Sequence, residues 1–177
     1  MNLRYVMMTL TGFAMFQNSH AATVLGRCHM DNCWWMNVQH KTLIKQEGDA
    51  RLYRFEKRTT SAEFNNQPYP KTMPKALEHS WNKHPEINYV LCSDKLPVYI
   101  EANKKGYTAH IPFDLIGQPS GATEGVTNLY NYICYGIHDG KEAPKHRYYF
   151  KSEQEQCREI QLKKPEAIFD FMKTCKK

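Results

Sequence analysis

The chain has 177 residues, and 24 Lys and Arg against 18 Asp and Glu give it a formal charge of +6. Basic and acidic residues are interspersed except near the C-terminus, and no basic-aromatic motif is present, which argues against nucleic acid as a partner. No later segment carries a long apolar run, so we expect no transmembrane segment in the mature product.

Met1 and Arg4 make a short positive region, Tyr5 to Phe16 is an apolar run without charge, and Ser19-His20-Ala21 supplies small-x-small. This is the layout of a secretory signal peptide over residues 1–21, cut after Ala21. As a membrane anchor the run falls short of the ~20 residues a spanning helix needs. As a lipoprotein signal it fails because Arg27 stands where a small residue should precede Cys28. Residues 22–177 then form a single periplasmic or secreted domain of roughly 155 residues, which buries about 68–70% of its unfolded surface.

All six cysteines, Cys28, Cys33, Cys92, Cys134, Cys157 and Cys175, fall in that mature part. An even number in an oxidising compartment reads as three disulfides, and six cysteines allow 15 pairings that sequence does not choose among. The local scheme Cys28–Cys33, Cys92–Cys134 and Cys157–Cys175 is the preferred one. Cys28, His29, Asp31 and Cys33 also have zinc-ligand chemistry, but no second ligand pair at short spacing accompanies them. A thioredoxin-like site needs two residues between its cysteines, and here there are four. We therefore expect neither metal nor cofactor.

Taken in order, Trp34, Met36, Val38, His40, Thr42 and Ile44 alternate with Asn37, Gln39, Lys41 and Lys45, the period of a half-buried strand. Glu47-Gly48-Asp49-Ala50 turns the chain, and residues 51–57 alternate again. From Thr59 to Pro85 the pattern stops. Pro68, Pro70, Pro74 and Pro85 mark an irregular surface segment with a helical turn near residues 76–80. A loop of that length is a candidate for binding. Strands resume at residues 87–92, 97–101 and 107–111, with a turn at Asn103-Lys104-Lys105-Gly106.

A loop over residues 117–125 leads into a helix with Leu129, Tyr132, Ile133, Gly136 and Ile137 on one face. Thr127 or Asn128 should cap its start, and His138-Asp139-Gly140 should end it. Ser152-Glu153-Gln154-Glu155 reads as a capping box for a short helix carrying Cys157. Pro165 and Glu166 open a last helix with Ile168, Phe171, Met172 and Cys175 inward. The expected fold is α+β, an antiparallel sheet of about five strands with two or three helices, stapled by disulfides.

Chemistry-bearing motifs are few. Ser120 lacks the Gly-x-Ser-x-Gly elbow, and His138-Asp139 are neighbours at a helix end, where turn and cap roles are commoner. No phosphate-cradling loop or His-Glu-x-x-His motif occurs. We expect no catalytic residue. Trp34, Trp35 and Trp81 are the candidates for partner contact. Adjacent in a strand, Trp34 and Trp35 point to opposite faces, so one of them is expected in the core. An outward-facing Trp makes a binding anchor.

Cys28-x4-Cys33-Trp34, with Leu91-Cys92-Ser93 and Asn128-Leu129-Tyr130…Cys134, resembles small exported proteins of Gram-negative bacteria that carry no assigned activity. The resemblance implies a periplasmic location and transfers no functional residue. The expected function is a non-catalytic binding protein, most concretely an inhibitor or immunity protein whose partner is an envelope-targeting toxin or hydrolase. The alternatives are an envelope hydrolase using Ser120, His138 or Asp139, and a binder of an anionic glycan or lipid.

Overall fold

Period-2 patterning builds a seven-stranded antiparallel sheet whose spatial order follows the sequence. The computed structural model describes residues 21–65, 68–94, 96–111, 124–137 and 159–174. Its strands are β1 (Ala22–His29), β2 (Asn32–Glu47), β3 (Ala50–Glu63), β4 (Glu86–Cys92), β5 (Val98–Asn103), β6 (Gly106–His110) and β7 (Glu159–Leu162). Helix α1 (Glu124–Tyr135) follows β6. Helix α2 (Ile168–Thr174) follows β7 through a 3-10 turn, Pro165–Ala167.

Cross-strand partners share a face of the sheet, so the pairing register sorts the core into two layers. On one face Val24, Met36, Val38, Phe55, Val90 and Tyr99 meet Leu129, Tyr130 and Ile133 of α1. On the other, Leu52, Leu91, Val98, Ile100, Ala109 and Leu162 meet Ile168 and Phe169 of α2. Each helix therefore covers part of one face. No helix among the described residues is long and apolar enough to cross a membrane.

Sheet dominates this fold more than the sequence pattern suggested. Seven strands replace the expected five, and the described residues contain two α-helices. The extra strands are β1, whose Gly26 and Arg27 interrupt the alternation, and β7, only four residues long. β3 also runs on to Glu63, into the segment read as irregular, which begins instead at Phe64 and holds a 3-10 turn at Lys75–Leu77. The expected helix bearing Cys157 lies outside the described residues.

The register of β2 explains a second correction. Two irregularities, between Gln39 and Thr42 and between Leu43 and Lys45, interrupt its pairing with β3, and His40 has φ 51°. A bulge adds a residue to one strand, and every side chain beyond it changes face. His40, Thr42 and Ile44 consequently do not continue the apolar stripe of Trp34, Met36 and Val38, and all three are exposed. Lys41 turns to the α1 face, with its ammonium 4.5 Å from the Tyr53 ring centre, and donates to the Ile133 carbonyl at 2.5 Å. A cation at a helix C-terminus is favourable. Burial, and then the nearby Arg51 cation, hold the Lys41 pKa below its ordinary value.

Helix α1 begins earlier and ends earlier than its sequence signals suggested. Thr127 and Asn128 lie within it, and Asn128 Nδ2 donates to the Leu25 carbonyl of β1 at 3.0 Å. Its end is set by Gly136, at φ 73°, whose N–H donates to the Tyr132 carbonyl at 2.9 Å. That left-handed position suits glycine, so Gly136 is a helix stop rather than part of the inner face. In α2, Pro165 opens the turn as expected. Phe169, however, is buried with Ile168, while Phe171 and Met172 are only partly covered.

Candidate functional site

The end of the sheet formed by the β1–β2 hairpin gathers the features that set this molecule apart. Cys28 and Cys33 are direct cross-strand partners, Cα atoms 4.0 Å apart, and are joined as a disulfide. This bond is one of the three in the local pairing scheme. A second disulfide joins Cys92 at the end of β4 to Cys134 in α1. Cys157 and Cys175 lie outside the described residues.

Between His29 and Asn32 the chain turns in two residues, Met30 and Asp31, with φ 48° and 60°. Two positive φ values are the type I′ pattern, which suits Asn-Gly. An L-residue held left-handed costs roughly 1–2 kcal/mol. Three contacts hold the turn against that cost: the disulfide, the Phe64 N–H donating to the Asp31 carbonyl at 2.5 Å, and the Asp31 N–H donating to Tyr69 Oη at 3.1 Å. At the tip Met30 is 82% exposed.

Behind the tip, Arg27 and Trp34 are cross-strand partners on the α1 face of the sheet, and both are half-buried. The Trp34 indole lies in a slot over Gly26. A Cβ on Gly26 would stand 2.1 Å from Trp34 Cδ1 and Nε1, so only glycine leaves the room. Gly125 at the start of α1 meets the same residue, its own would-be Cβ 3.2 Å from the Gly26 carbonyl oxygen. Gly26→Ala is expected to push Trp34 out of its slot and cost about 1–3 kcal/mol. Urea unfolding and a red shift in tryptophan emission check this.

Of the three tryptophans that are candidates for partner contact, the structure brings only Trp34 to this end with partial exposure. Trp35 faces the other way, 1% exposed, with the Phe64 ring edge-on at 6.1 Å. It is a core residue. Trp81 is half-buried in the segment after β3, beside Asn82. The Asn82 N–H donates to the Thr59 carbonyl at 2.9 Å, and its Oδ1 accepts from the Thr59 N–H at 2.9 Å, so the segment is docked on β3. Met30 and Arg27 were missed from sequence, because Met-Asp is not a usual two-residue turn pair and β1 itself was not recognised. Ser120, His138 and Asp139 lie outside the described residues.

Two other polar sites are present. At the far end of the β2–β3 hairpin, Asp49, Arg51, Asp94 and Tyr135 line an open cavity of about 340 Å³ beside Cys92. Its charges are mixed, and no three His, Cys, Asp or Glu side chains cluster to hold a metal among the described residues. The second site crosses the α1 face. Lys57 Nζ lies 3.0 Å from Glu86 Oε2 and donates to Tyr99 Oη at 3.3 Å, and the Tyr99 hydroxyl donates to Asn88 Oδ1 at 2.9 Å.

In this chain burial works against the Lys57 ammonium, but the Tyr99 oxygen and the Glu86 carboxylate outweigh it and its pKa is raised. Burial lifts the Tyr99 pKa too, with Lys57 opposing in part. Both groups therefore hold their protons more tightly folded than unfolded. Stability is retained below about pH 10 and lost as pH climbs through the raised folded values. Melting curves are expected to hold level to about pH 9 and to fall steeply above about pH 10, less steeply in Tyr99→Phe.

The hairpin end thus presents the exposed Met30 at its tip, with the half-buried Arg27 and Trp34 behind it. No family model, curated protein or solved structure matches the chain.

Proposed function

We propose that this is an exported, non-catalytic binding protein. Its most concrete form is an inhibitor or immunity protein that inserts the β1–β2 hairpin end into a cleft of an envelope-targeting toxin or hydrolase. The observation that carries the reading is Met30, 82% exposed in a left-handed backbone conformation on a tip fixed by a disulfide. A loop already rigid in its free state loses little entropy on docking, so more of its contact energy appears as affinity. Met, Trp and Arg are the residue types enriched in such interfaces, and Met30, Trp34 and Arg27 supply one of each.

The signal-like start and the two disulfides support a periplasmic or secreted setting, where such bonds persist. The basic balance, +6 over the full chain and one less once Arg4 leaves with the signal, favours encounter with an acidic or neutral partner over a basic one such as a lysozyme. The test is affinity capture from envelope extract on the oxidised wild type, on Met30→Asp and on a remote control, Lys104→Ala. A partner retained by wild type and control but lost from Met30→Asp supports the reading. Equal retention by all three, or retention of nothing, defeats it.

A further inference from the structure

The open cavity of about 340 Å³ lies at the opposite end of β2 from the Met30 turn. Gln46 on β2, Arg51 on β3 and Cys92 on β4 are successive cross-strand partners, so they form one row on the α1 face, and that row is the cavity floor. Three separate elements make its walls. The β2–β3 turn supplies Asp49, the connection after β4 supplies Ser93 and Asp94, and the end of α1 supplies Tyr135. The Cys92–Cys134 disulfide ties the helix wall to the floor.

The charges that line this cavity do not neutralise one another. Gln46 Nε2 donates to the Gly48 carbonyl at 3.1 Å, and Ser93 Oγ accepts from the Leu96 N–H at 3.3 Å, so both are engaged within the fold. Asp49, Arg51 and Asp94 are exposed, and they form no ion pair with one another or with any other described residue. Lys41, whose pKa is lowered by burial and then by the Arg51 charge, is turned to the Ile133 carbonyl instead. Opposite charges carried on separate walls of one recess are complementary to a ligand that itself bears both signs.

We infer that this cavity binds a small zwitterion of the α-amino-acid class, its carboxylate on the Arg51 guanidinium and its ammonium on the Asp49 and Asp94 carboxylates. The guanidinium fork matches the two oxygens of a carboxylate and so gives the ligand an orientation. A recess near the lower end of the roughly 300–1,000 Å³ range of small-molecule sites suits one amino acid rather than a polymer. Its lining holds two carboxylates against one guanidinium, and the last carbonyls of α1 add partial negative charge. A second ammonium on the ligand is therefore favoured and a second carboxylate is not. Lysine is expected to bind more tightly than alanine, and glutamate more weakly. The cavity is remote from the Met30 turn, so this site stands or falls independently of that turn as a partner surface.

The test uses the ¹⁵N-labelled, oxidised full chain, titrated with L-lysine, L-alanine or L-glutamate at constant ionic strength. A mixture of ethylammonium chloride and sodium acetate, which offers the same charges on separate molecules, is the control. Saturable shifts of the Asp49, Ser93 and Asp94 amides are expected with lysine and alanine, lysine binding about tenfold more tightly, the worth of one charge-assisted hydrogen bond. The Asp31 amide should not move, and the control should give no saturation. Arg51→Gln is expected to weaken both amino acids about tenfold, and Asp94→Asn to weaken lysine likewise. All of these side chains are exposed, and melting curves confirm that the variants fold. No saturable shift with either amino acid, the same response to the control mixture, or undiminished affinity in both variants overturns the site and leaves the cavity an ordinary solvated surface.

Discussion

Replacing Cys92 and Cys134 together by alanine is expected to lower the unfolding free energy by about 4 kcal/mol, and replacing Cys28 and Cys33 by about 2 kcal/mol. The difference follows from chain length. The first bond closes a sequence separation of 42 residues and the second a separation of 5, and a cross-link removes more freedom from the unfolded chain as its loop lengthens. Position reinforces the ranking. Cys92–Cys134 fastens α1 to the end of β4, where the Ser93 N–H also donates to Tyr130 Oη at 3.2 Å. The Leu129, Tyr130 and Ile133 face stays apolar, so the helix is expected to remain docked, while the urea m-value rises because the unfolded chain, freed of the cross-link, exposes more surface. Urea unfolding of the two oxidised double variants measures both losses. Equal losses would mean that loop closure is not what these bonds contribute.

Met30→Asn is expected to move stability and binding in opposite directions. Asn tolerates φ near 48° better than Met, so the variant should be more stable by about 1 kcal/mol, with the disulfide and the Asp31 contacts intact. If Met30 is the inserted anchor, the same change removes a large exposed apolar group from the centre of the contact and weakens the partner by about tenfold or more. A non-glycine residue held at positive φ where a more tolerant one would fit motivates a functional reading of the position. Urea unfolding gives the first number, and titration of the captured partner the second. Stabilisation without loss of affinity would leave Met30 an ordinary turn residue.

Much of the sheet was legible because alternation and turn chemistry agree. Residues 87–92, 98–101 and 107–110 fall in strands as their period demanded, and the turn at residues 103–106 joins β5 to β6. The two pairs Cys28–Cys33 and Cys92–Cys134 match the local scheme, since each joins elements that the patterning alone sets close together. What escaped was local information that contradicts itself. β1 holds Gly26 and Arg27 because α1 and Trp34 come so near its backbone, and that need is invisible without the tertiary partner. The bulges in β2 let Lys41 reach the end of α1, a long-range demand that overrides the period of the strand. Gly136 was readable as a helix stop, but the downstream His138-Asp139-Gly140 looked like a better one.

At the candidate site, the sequence pointed to the right stretch for an incomplete reason. Trp34 and Trp35 were expected to diverge, and they do: one sits in a half-open slot, the other in the core. The exposure of Met30, three positions before Cys33, has no signal in the sequence. Nothing in Met-Asp announces an I′ turn, and only the backbone geometry shows that it forms one.

Photo-crosslinking from the hairpin tip tests the binding reading most directly. A benzophenone amino acid at position 30 of the full chain, activated in cells, is expected to give one discrete adduct that excess wild-type protein suppresses and excess Met30→Asp does not. The same amino acid at position 104, in the β5–β6 turn, is expected to give none. No adduct at position 30, or the same adducts from both positions, would contradict the claim that this end of the sheet is the partner surface.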